Sequence, residues 1–164
     1  LTDEGVSTTF ASISLGLIGL CNVAGAYLFG ALGDHFSKKN LLTGLYISRS
    51  VLMTLVLIVP INDVTAIYFG VFMGFLWLAT VPLTSGIVAQ VFGTRYFSML
   101  FGVVFMSHQF GSFAGAYLGG IVQELTGSYD LMWMVSVALG LVAALLHWPI
   151  CEQPLERLSS ETAS

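Results

Sequence analysis

The sequence predicts an all-α membrane protein with five transmembrane helices. Apolar residues make up 56% of the 164 residues and charged residues only 9%, too few to cover a surface that faces water. The apolar residues are gathered into five long runs, and of all the Asp, Glu, Lys and Arg residues only Arg49 lies inside a run. A lipid-embedded helical bundle over residues 1–150, followed by a polar tail over residues 151–164, accounts for this pattern.

Each run is long enough to cross a bilayer as a helix. A helix needs about 20 residues to cross a hydrocarbon layer of about 30 Å. Strands of a membrane barrel need about 10 residues of alternating polarity, and the runs do not alternate. A helix also satisfies its own backbone hydrogen bonds in lipid. The predicted spans are residues 10–32, 41–59, 66–92, 96–123 and 131–150.

Short polar segments separate the spans. Residues 33–40 are charged, residues 60–65 contain Pro, Asn and Asp, and residues 126–130 form a Gly/Ser turn. The gap between the third and fourth spans is so short that these two must form a tight hairpin. Inside the third span, Pro82 lacks an amide proton, so we expect a bend there and a free carbonyl on Leu78, four residues earlier.

Glycines recur at four-residue spacing in two of the spans. Gly111, Gly115 and Gly119 share one face of the fourth span, and Gly70 and Gly74 share one face of the third. Small residues at this spacing let helix backbones approach closely in lipid. Glycine is also simply common in membrane helices. Under either interpretation, we expect the helices to pack together.

The basic residues predict the orientation. With five spans, Lys38, Lys39, Arg95 and Arg157 all fall on one face of the membrane, and the other face carries acidic residues such as Asp3, Glu4 and Asp63. Basic loops face the cell interior. We therefore expect a multi-pass protein of the cell or inner membrane, with lipid as its surroundings, the N-terminus outside and the tail in the cytoplasm.

One loop carries a known signature. Residues 30–39 read Gly-Ala-Leu-Gly-Asp-His-Phe-Ser-Lys-Lys, which resembles the loop G-x-x-x-D-R-x-G-R-K of the major facilitator superfamily. His35 and Ser37 replace the usual Arg and Gly, as in the weaker C-terminal copy of that loop. Residues 81–84, 105–111 and 126–130 are similar to monocarboxylate-porter-type members.

The resemblance extends from about Ser12 to Ile150 and implies helices eight to twelve of a twelve-helix transporter. The chain would then be part of the six-helix C-terminal bundle, and its partner would be the missing N-terminal half, with the substrate held between the two halves. The implied activity is alternating-access transport of a small, monocarboxylate-like organic anion. A coupled proton is a further candidate partner.

The signature loop is the candidate gate. The resemblance gives this role to Gly30, Asp34, Lys38 and Lys39, with Arg49 as a partner. Asp34 ends a helix whose dipole disfavours an anion, so donors must hold it, either the first amides of the next helix or Arg49. The alternative is a plain cytoplasmic loop whose lysines only set the topology.

Polar residues inside the spans are the candidate pathway. Arg49 either pairs with Asp34, which we favour, or binds a substrate carboxylate through its planar fork. His108 either couples a proton or is a neutral hydrogen-bonded histidine, with Ser107 and Gln109 beside it. By the resemblance, the cavity-facing positions also include Asn22, Tyr27, Trp77, Thr80 and Thr84.

Other classes of function have less support. The metalloprotease motif H-E-x-x-H is absent, and adjacent helical residues such as Ser107 and His108 point in different directions and cannot form a catalytic pair. We therefore expect no enzyme, no catalytic residue, no cofactor or metal, and no nucleic-acid partner, since there is no basic patch. A non-transporting membrane scaffold or assembly subunit remains the alternative.

Overall fold

The computed structural model of the chain describes residues 7–155, so that Asp3, Glu4 and Arg157 lie outside the described part. Six α-helices make up this part. They are α1 (Thr8–His35), α2 (Lys38–Ile58), α3 (Asp63–Trp77), α4 (Thr80–Phe92), α5 (Phe97–Thr126) and α6 (Asp130–His147).

The predicted fold class is confirmed. Helices α3 and α4 together form one span, so five helical segments of residues 7–155 are long and apolar enough to cross a membrane. Their outward faces carry large apolar side chains, such as Leu15, Val23 and Leu145, which are 70%, 71% and 73% exposed. Such a surface needs lipid around it, because water would leave it as one large unfavourable apolar patch.

Helix α1 packs along α3 with their backbones almost in contact. Gly70 lies against Ser14 and Gly74 against Ile18, so that the contacts advance by four residues on both helices and the two run parallel. A Cβ atom added to Gly74 would lie 2.6 Å from the carbonyl oxygen of Ile18. The predicted close approach at this glycine face is therefore present, and the Ser14 hydroxyl adds a hydrogen bond of 2.7 Å to the carbonyl of Ala66.

Helix α2 packs along α6 in the antiparallel direction. The hydroxyls of Thr43 and Ser50 donate to the carbonyls of Ala144 and Val137, at 3.5 and 3.3 Å. Hydroxyls that bond across helices stabilise packing where lipid offers no competing partners. Between the two pairs of helices, a buried apolar cluster joins α2 to the start of α4; it consists of Leu42, Leu45, Ala79 and Leu83.

The third span breaks at Leu78 and Ala79, just before Pro82. The carbonyl of Leu78 accepts from the amide of Val81 at 3.0 Å, so the expectation of a free carbonyl there is wrong. Pro82 has no amide proton to give to the Leu78 carbonyl, so the chain tightens locally and the carbonyl accepts an i→i+3 hydrogen bond instead. The Leu78 amide donates instead to Oδ1 of Asn22 on α1, at 3.1 Å.

Helix α5 stands against the rest of the bundle with little contact. It contains no buried residue. A Cβ atom on Gly111, Gly115 or Gly119 would find nothing within 4 Å. The close packing expected at this second glycine face is therefore not made by any helix of residues 7–155.

The turns lie at two ends of the bundle. Residues 33–40, 93–96 and 148–155 form what we call the basic end, and residues 59–63 and 127–129 form the opposite end. The predicted hairpin between spans three and four turns at Gly93, whose φ of 72° is a conformation that glycine adopts without strain.

Candidate functional site

A cavity of about 320 Å³ lies between α2, α4, α5 and α6. We call it the central cavity. Its lining contains hydroxyl and imidazole groups as well as aromatic and aliphatic side chains, so the cavity suits a ligand with a polar and an apolar part. Its lining residues are Tyr46, Thr80, Val81, Thr84, Phe101, Val104, Phe105, Ser107, His108 and His147.

Arg49 lies beside this cavity without an acidic partner. Its guanidinium carbon is 5.0 Å from the centre of the Trp77 ring and 5.7 Å from that of Tyr46, so the charge is held between two aromatic faces. Its Nε atom is buried and has no hydrogen-bond partner within residues 7–155. Tyr46 therefore connects the arginine to the cavity, because its ring touches both.

The predicted ion pair between Arg49 and Asp34 is absent from the described part of the chain. Arg49 lies in the fourth turn of α2, whereas Asp34 is exposed one residue before the end of α1, at the basic end. The structure instead gives the guanidinium the rings of Tyr46 and Trp77.

The hydroxyls of the cavity wall differ in their availability. Thr80 donates to the carbonyl of Trp77 at 3.4 Å, and Ser107 donates to that of Val104 at 2.7 Å. The hydroxyls of Thr84 and Tyr46 have no hydrogen bond to any described residue, so their protons remain for a ligand.

Two histidines face the cavity from different helices. His108 is exposed on α5, and its ring centre lies 6.1 Å from that of Phe105. His147 ends α6; its Nδ1 lies 2.7 Å from the carbonyl of Ala143, and its ring centre 5.1 Å from that of Tyr46. The sequence reasoning singled out His108 and missed both His147 and Tyr46.

A signal for Tyr46 was present in the sequence. Tyr46 and Arg49 are three residues apart, which places them on one helix face. His147 gave no such signal, since only the fold brings the end of α6 beside α2.

The other predicted pathway residues are placed differently. Trp77 and Asn22 flank the break in the third span, Trp77 under Arg49 and Asn22 at the Leu78 amide. Tyr27 is 81% exposed on the outer face of α1, and Gln109 is exposed on α5; neither lines the central cavity. The structure thus brings His108, Thr80 and Thr84 together, with Trp77 next to them.

The signature loop is held by a residue that the sequence reasoning missed. The carboxylate of Glu152 accepts from the Lys39 amide and, at 3.3 Å, from the Ser37 hydroxyl. The start of α2 is one of the two places that the sequence offers for Asp34, the other being Arg49. An acid is stabilised at a helix N-terminus, and Glu152 reaches it because the chain after α6 folds back beneath the bundle.

A second link ties the same segment to α4. Gln90 donates to the backbone carbonyl of Glu152 at 2.9 Å, and Lys38 donates to the Gln90 side chain at 3.0 Å. Gly30 lies farther inside, where α1 passes Pro82; a Cβ atom at Gly30 would lie 3.6 Å from the Pro82 Cβ, an ordinary contact. The basic end is therefore a hydrogen-bonded network that joins α2, α4 and residues 150–155.

A further cavity, of about 330 Å³, lies at the opposite end between α2, α3 and α6. Its wall is almost wholly apolar and aromatic, with residues such as Phe69, Phe72 and Trp133. Asp130 is its single charged residue. This cavity contains neither a cation nor an imidazole, so it does not share the chemistry of the central cavity.

No cluster of three or more His, Cys, Asp or Glu side chains within residues 7–155 could hold a metal ion. The groups that remain for a ligand are therefore a guanidinium, hydroxyls and imidazoles. Together with the five apolar spans, they define a polytopic membrane protein with a polar cavity inside its helical bundle.

The chain belongs to the Major Facilitator Superfamily, whose family model matches residues 1–164. The resemblance recognised in residues 30–39 is thereby confirmed. No solved structure matches the chain.

Curated relatives are transporters of the same class. The chain is 23% identical over 137 residues to the uncharacterized MFS-type transporter YcxA of Bacillus subtilis, an alignment of 80% of this chain and 34% of that protein. It is 29% identical over 142 residues to monocarboxylate transporter 12 of Mus musculus, which covers 80% of this chain and 28% of that protein. Monocarboxylate transporter 12-B of Danio rerio is 26% identical, over 82% of this chain and 29% of that protein. The chain thus spans about a third or less of the length of these relatives.

Proposed function

We propose that the chain is the C-terminal part of a secondary transporter that moves a small, monocarboxylate-like organic anion by alternating access. Family membership and the transporter relatives support transport. Transporters of this family are built from two six-helix halves with the substrate between them, so the partner of this chain is an N-terminal half.

The observation that supports an anionic substrate is the environment of Arg49. An unpaired charge inside a membrane bundle is expensive, and Arg49 contacts the rings of Tyr46 and Trp77 while its buried Nε has no hydrogen-bond partner within residues 7–155. The acids of the described spans lie within a few residues of their ends and not in their middle; they are Asp34, Asp63, Glu124 and Asp130. A carboxylate from a bound substrate could accept two parallel hydrogen bonds from the planar guanidinium.

The remaining predicted residues take roles around this anchor. His108, Thr80 and Thr84 would contact the polar part of the substrate, and Trp77 would hold the guanidinium in place. Asn22 would act through the break in the third span. Gln109 and Tyr27, which face outward, would serve only where the other half of the transporter meets this one.

The gate would be the network of the basic end. Lys38 and Lys39 would close it through Gln90 and Glu152, and an inward-open state would break those bonds. Gly30 would lie where α1 passes Pro82, and Asp34 would pair with the other half.

For the orientation, we propose that the basic end faces the cytoplasm and the N-terminus lies outside. Single cysteines at Lys38 and Asp63, labelled with a membrane-impermeant maleimide on intact cells, test this. Labelling at Asp63→Cys alone agrees with the proposal, and labelling at Lys38→Cys contradicts it.

The transport proposal is tested with the full-length protein in liposomes. Uptake of radiolabelled pyruvate, benzoate, succinate and a neutral sugar is measured for the wild type and for Arg49→Gln and Arg49→Lys. A hydrogen bond to a charged group is worth about 1.5–3 kcal/mol, so we expect Arg49→Gln to lower monocarboxylate uptake about 10- to 100-fold. Arg49→Lys keeps the charge but loses the fork, and its uptake should be intermediate.

Arg95→Gln is the matched control. Arg95 also stacks on a tyrosine, Tyr96, at 5.3 Å, but it lies in a turn outside the bundle. Full uptake by Arg49→Gln, or an equal loss in Arg95→Gln, would refute the role of Arg49. A wild type that takes up none of the anions would refute the anion proposal.

One observation favours the second candidate, a membrane scaffold or assembly subunit. The glycine face of α5 has open space against it, as an assembly surface would. In that case the reconstituted protein would move no solute, while Gly115→Leu would abolish its co-purification with other membrane proteins.

A further inference from the structure

The apolar cavity at the opposite end, which we call the end cavity, runs along three helices. Val59 and Leu52 mark its length on α2, so at 1.5 Å per residue it extends about 10 Å toward the middle of the membrane. Phe69 of α3 and Trp133 of α6 are half-buried in its wall, with ring centres 5.8 Å apart. Phe72, which also lines the cavity, is 56% exposed. No other part of residues 7–155 covers this ring, so the end cavity opens toward lipid.

The end cavity is acidic where it meets the membrane surface. The carboxylate of Asp130, in the first turn of α6, lines the cavity and has no hydrogen bond or ion pair to any described residue. Asp63 and Glu124 lie at the same end of the bundle, and residues 59–68 and 122–133 contain no Lys or Arg. Unlike charges attract and like charges repel. The cavity therefore favours a ligand with a cationic head and disfavours one with a net negative charge.

The aromatic rings of the wall restrict the kind of cation. A primary ammonium has three N–H donors that need acceptors, and Asp130 supplies the single carboxylate of the wall. A quaternary ammonium has no N–H donor and binds against aromatic faces, as in choline-binding aromatic cages. Trp133 and Tyr129 supply such rings next to Asp130 in the chain. The end cavity thus has the chemistry for a trimethylammonium group.

The rest of the wall suits the remaining parts of a phospholipid. The hydroxyls of Tyr68 and Tyr129 have no hydrogen bond to any described residue, so their protons remain for phosphate oxygens. Trp and Tyr side chains are typical of the depth at which lipid head groups lie. Deeper in the membrane, Leu52, Val56 and Phe72 offer only apolar surface, which matches an acyl chain.

We propose that the end cavity binds a membrane lipid with a choline head group, such as phosphatidylcholine. The trimethylammonium group lies between the Asp130 carboxylate and the Trp133 ring, and one acyl chain lies along α2 and α3. A ligand that binds only the folded protein stabilises it, so this lipid fastens α2, α3 and α6 together. The end cavity shares no lining residue with the central cavity, so the inference does not depend on the transported substrate.

The test is native mass spectrometry of the full-length protein in a nonionic detergent. The protein is titrated with dioleoyl phosphatidylcholine, phosphatidylethanolamine or phosphatidylglycerol, which share their acyl chains and differ in the head group. The variants are Asp130→Asn and Trp133→Leu. Asp63→Asn is the control carboxylate at the same end but outside the cavity, and Trp148→Leu is the control tryptophan, which is exposed at the basic end.

We expect the wild type to bind its first phosphatidylcholine more tightly than either other lipid. Each cavity variant should weaken that binding about 3- to 30-fold, and the two controls should leave it unchanged. Equal affinity for the three lipids indicates a non-specific lipid shell and overturns the inference, as does a preference for another head group. Equal losses in the controls also overturn it. Displacement of the lipid by millimolar free choline would indicate a site for the soluble cation and overturn the lipid assignment.

A second measurement covers the case in which a cavity variant does not fold. Wild-type protein in vesicles of phosphatidylcholine is photolabelled with a phosphatidylcholine that carries a diazirine in its acyl chain, and the labelled peptides are sequenced. Labelling within residues 52–72 and 129–133 that excess unlabelled phosphatidylcholine suppresses, and phosphatidylglycerol does not, supports the inference. Absence of label from these residues contradicts it, and shows that another part of the full-length protein fills the end cavity. Uptake of anions is unaffected by either outcome, so the proposed function is tested separately.

Discussion

Replacing Gly74 by alanine should separate α1 from α3. The added Cβ would lie 2.6 Å from the carbonyl oxygen of Ile18 and 2.7 Å from its Cα, both of which are backbone atoms. Ordinary contact begins at 3.4 Å, so one helix must move by about 0.8 Å. A side chain could turn away at little cost, but the backbone of a packed helix cannot. Overpacking of this kind costs about 1–3 kcal/mol.

The assay is unfolding of the full-length protein in mixed micelles with increasing SDS, followed by tryptophan fluorescence. Gly115→Ala is the matched control, because a Cβ at this glycine of α5 meets nothing within 4 Å. Helix propensity alone would stabilise both variants by up to about 1 kcal/mol. We therefore expect Gly74→Ala to unfold at lower SDS and Gly115→Ala to unfold at the wild-type value or above. Equal midpoints for Gly74→Ala and the wild type would refute the tight packing of α1 on α3.

Two further substitutions test the break in the third span and the basic end. Asn22→Leu keeps the approximate size of the side chain but leaves the Leu78 amide without its acceptor. The free energy of unfolding should therefore fall by about 1–3 kcal/mol in the same SDS assay. Asn22→Asp, which keeps an acceptor, is the control. Glu152→Gln removes a negative charge from the start of α2 and should lower the free energy of unfolding by about 0.3–1 kcal/mol. Protease added on the side of the basic end should then cleave residues 148–155 faster. An unchanged cleavage rate would argue against the link between Glu152 and Lys39.

The sequence was most informative where one physical rule acts alone. Lipid excludes charge from the middle of a span, so the five runs could be read directly from the spacing of the charged residues. The break near Pro82 was also foreseen, since proline removes a donor wherever it stands. The hydrogen bond of the Leu78 carbonyl could not be predicted, because it depends on whether the next turn tightens. A change from i→i+4 to i→i+3 bonding has no signature in the sequence.

The site depends on contacts between distant segments and was only partly predictable. His108 was selected as a polar residue inside an apolar run, and Thr80 and Thr84 by the resemblance to the family; the fold brings all three to one cavity. Arg49 was recognised as unusual but was given the wrong neighbour, since charge complementarity with Asp34 ignored the length of helix between them. Glu152 was missed because its role depends on how the chain turns after α6.

The two halves of the interrupted third span pack on different neighbours. The first half, α3, is fastened to α1 by backbone contact at Gly70 and Gly74, whereas the second half begins at Ala79 in the apolar cluster with α2. The joint between them holds one i→i+3 bond and one amide bond to Asn22. The third span is therefore not one continuous rod, and a force on α4 reaches α3 only through this joint and through the helices that both halves contact.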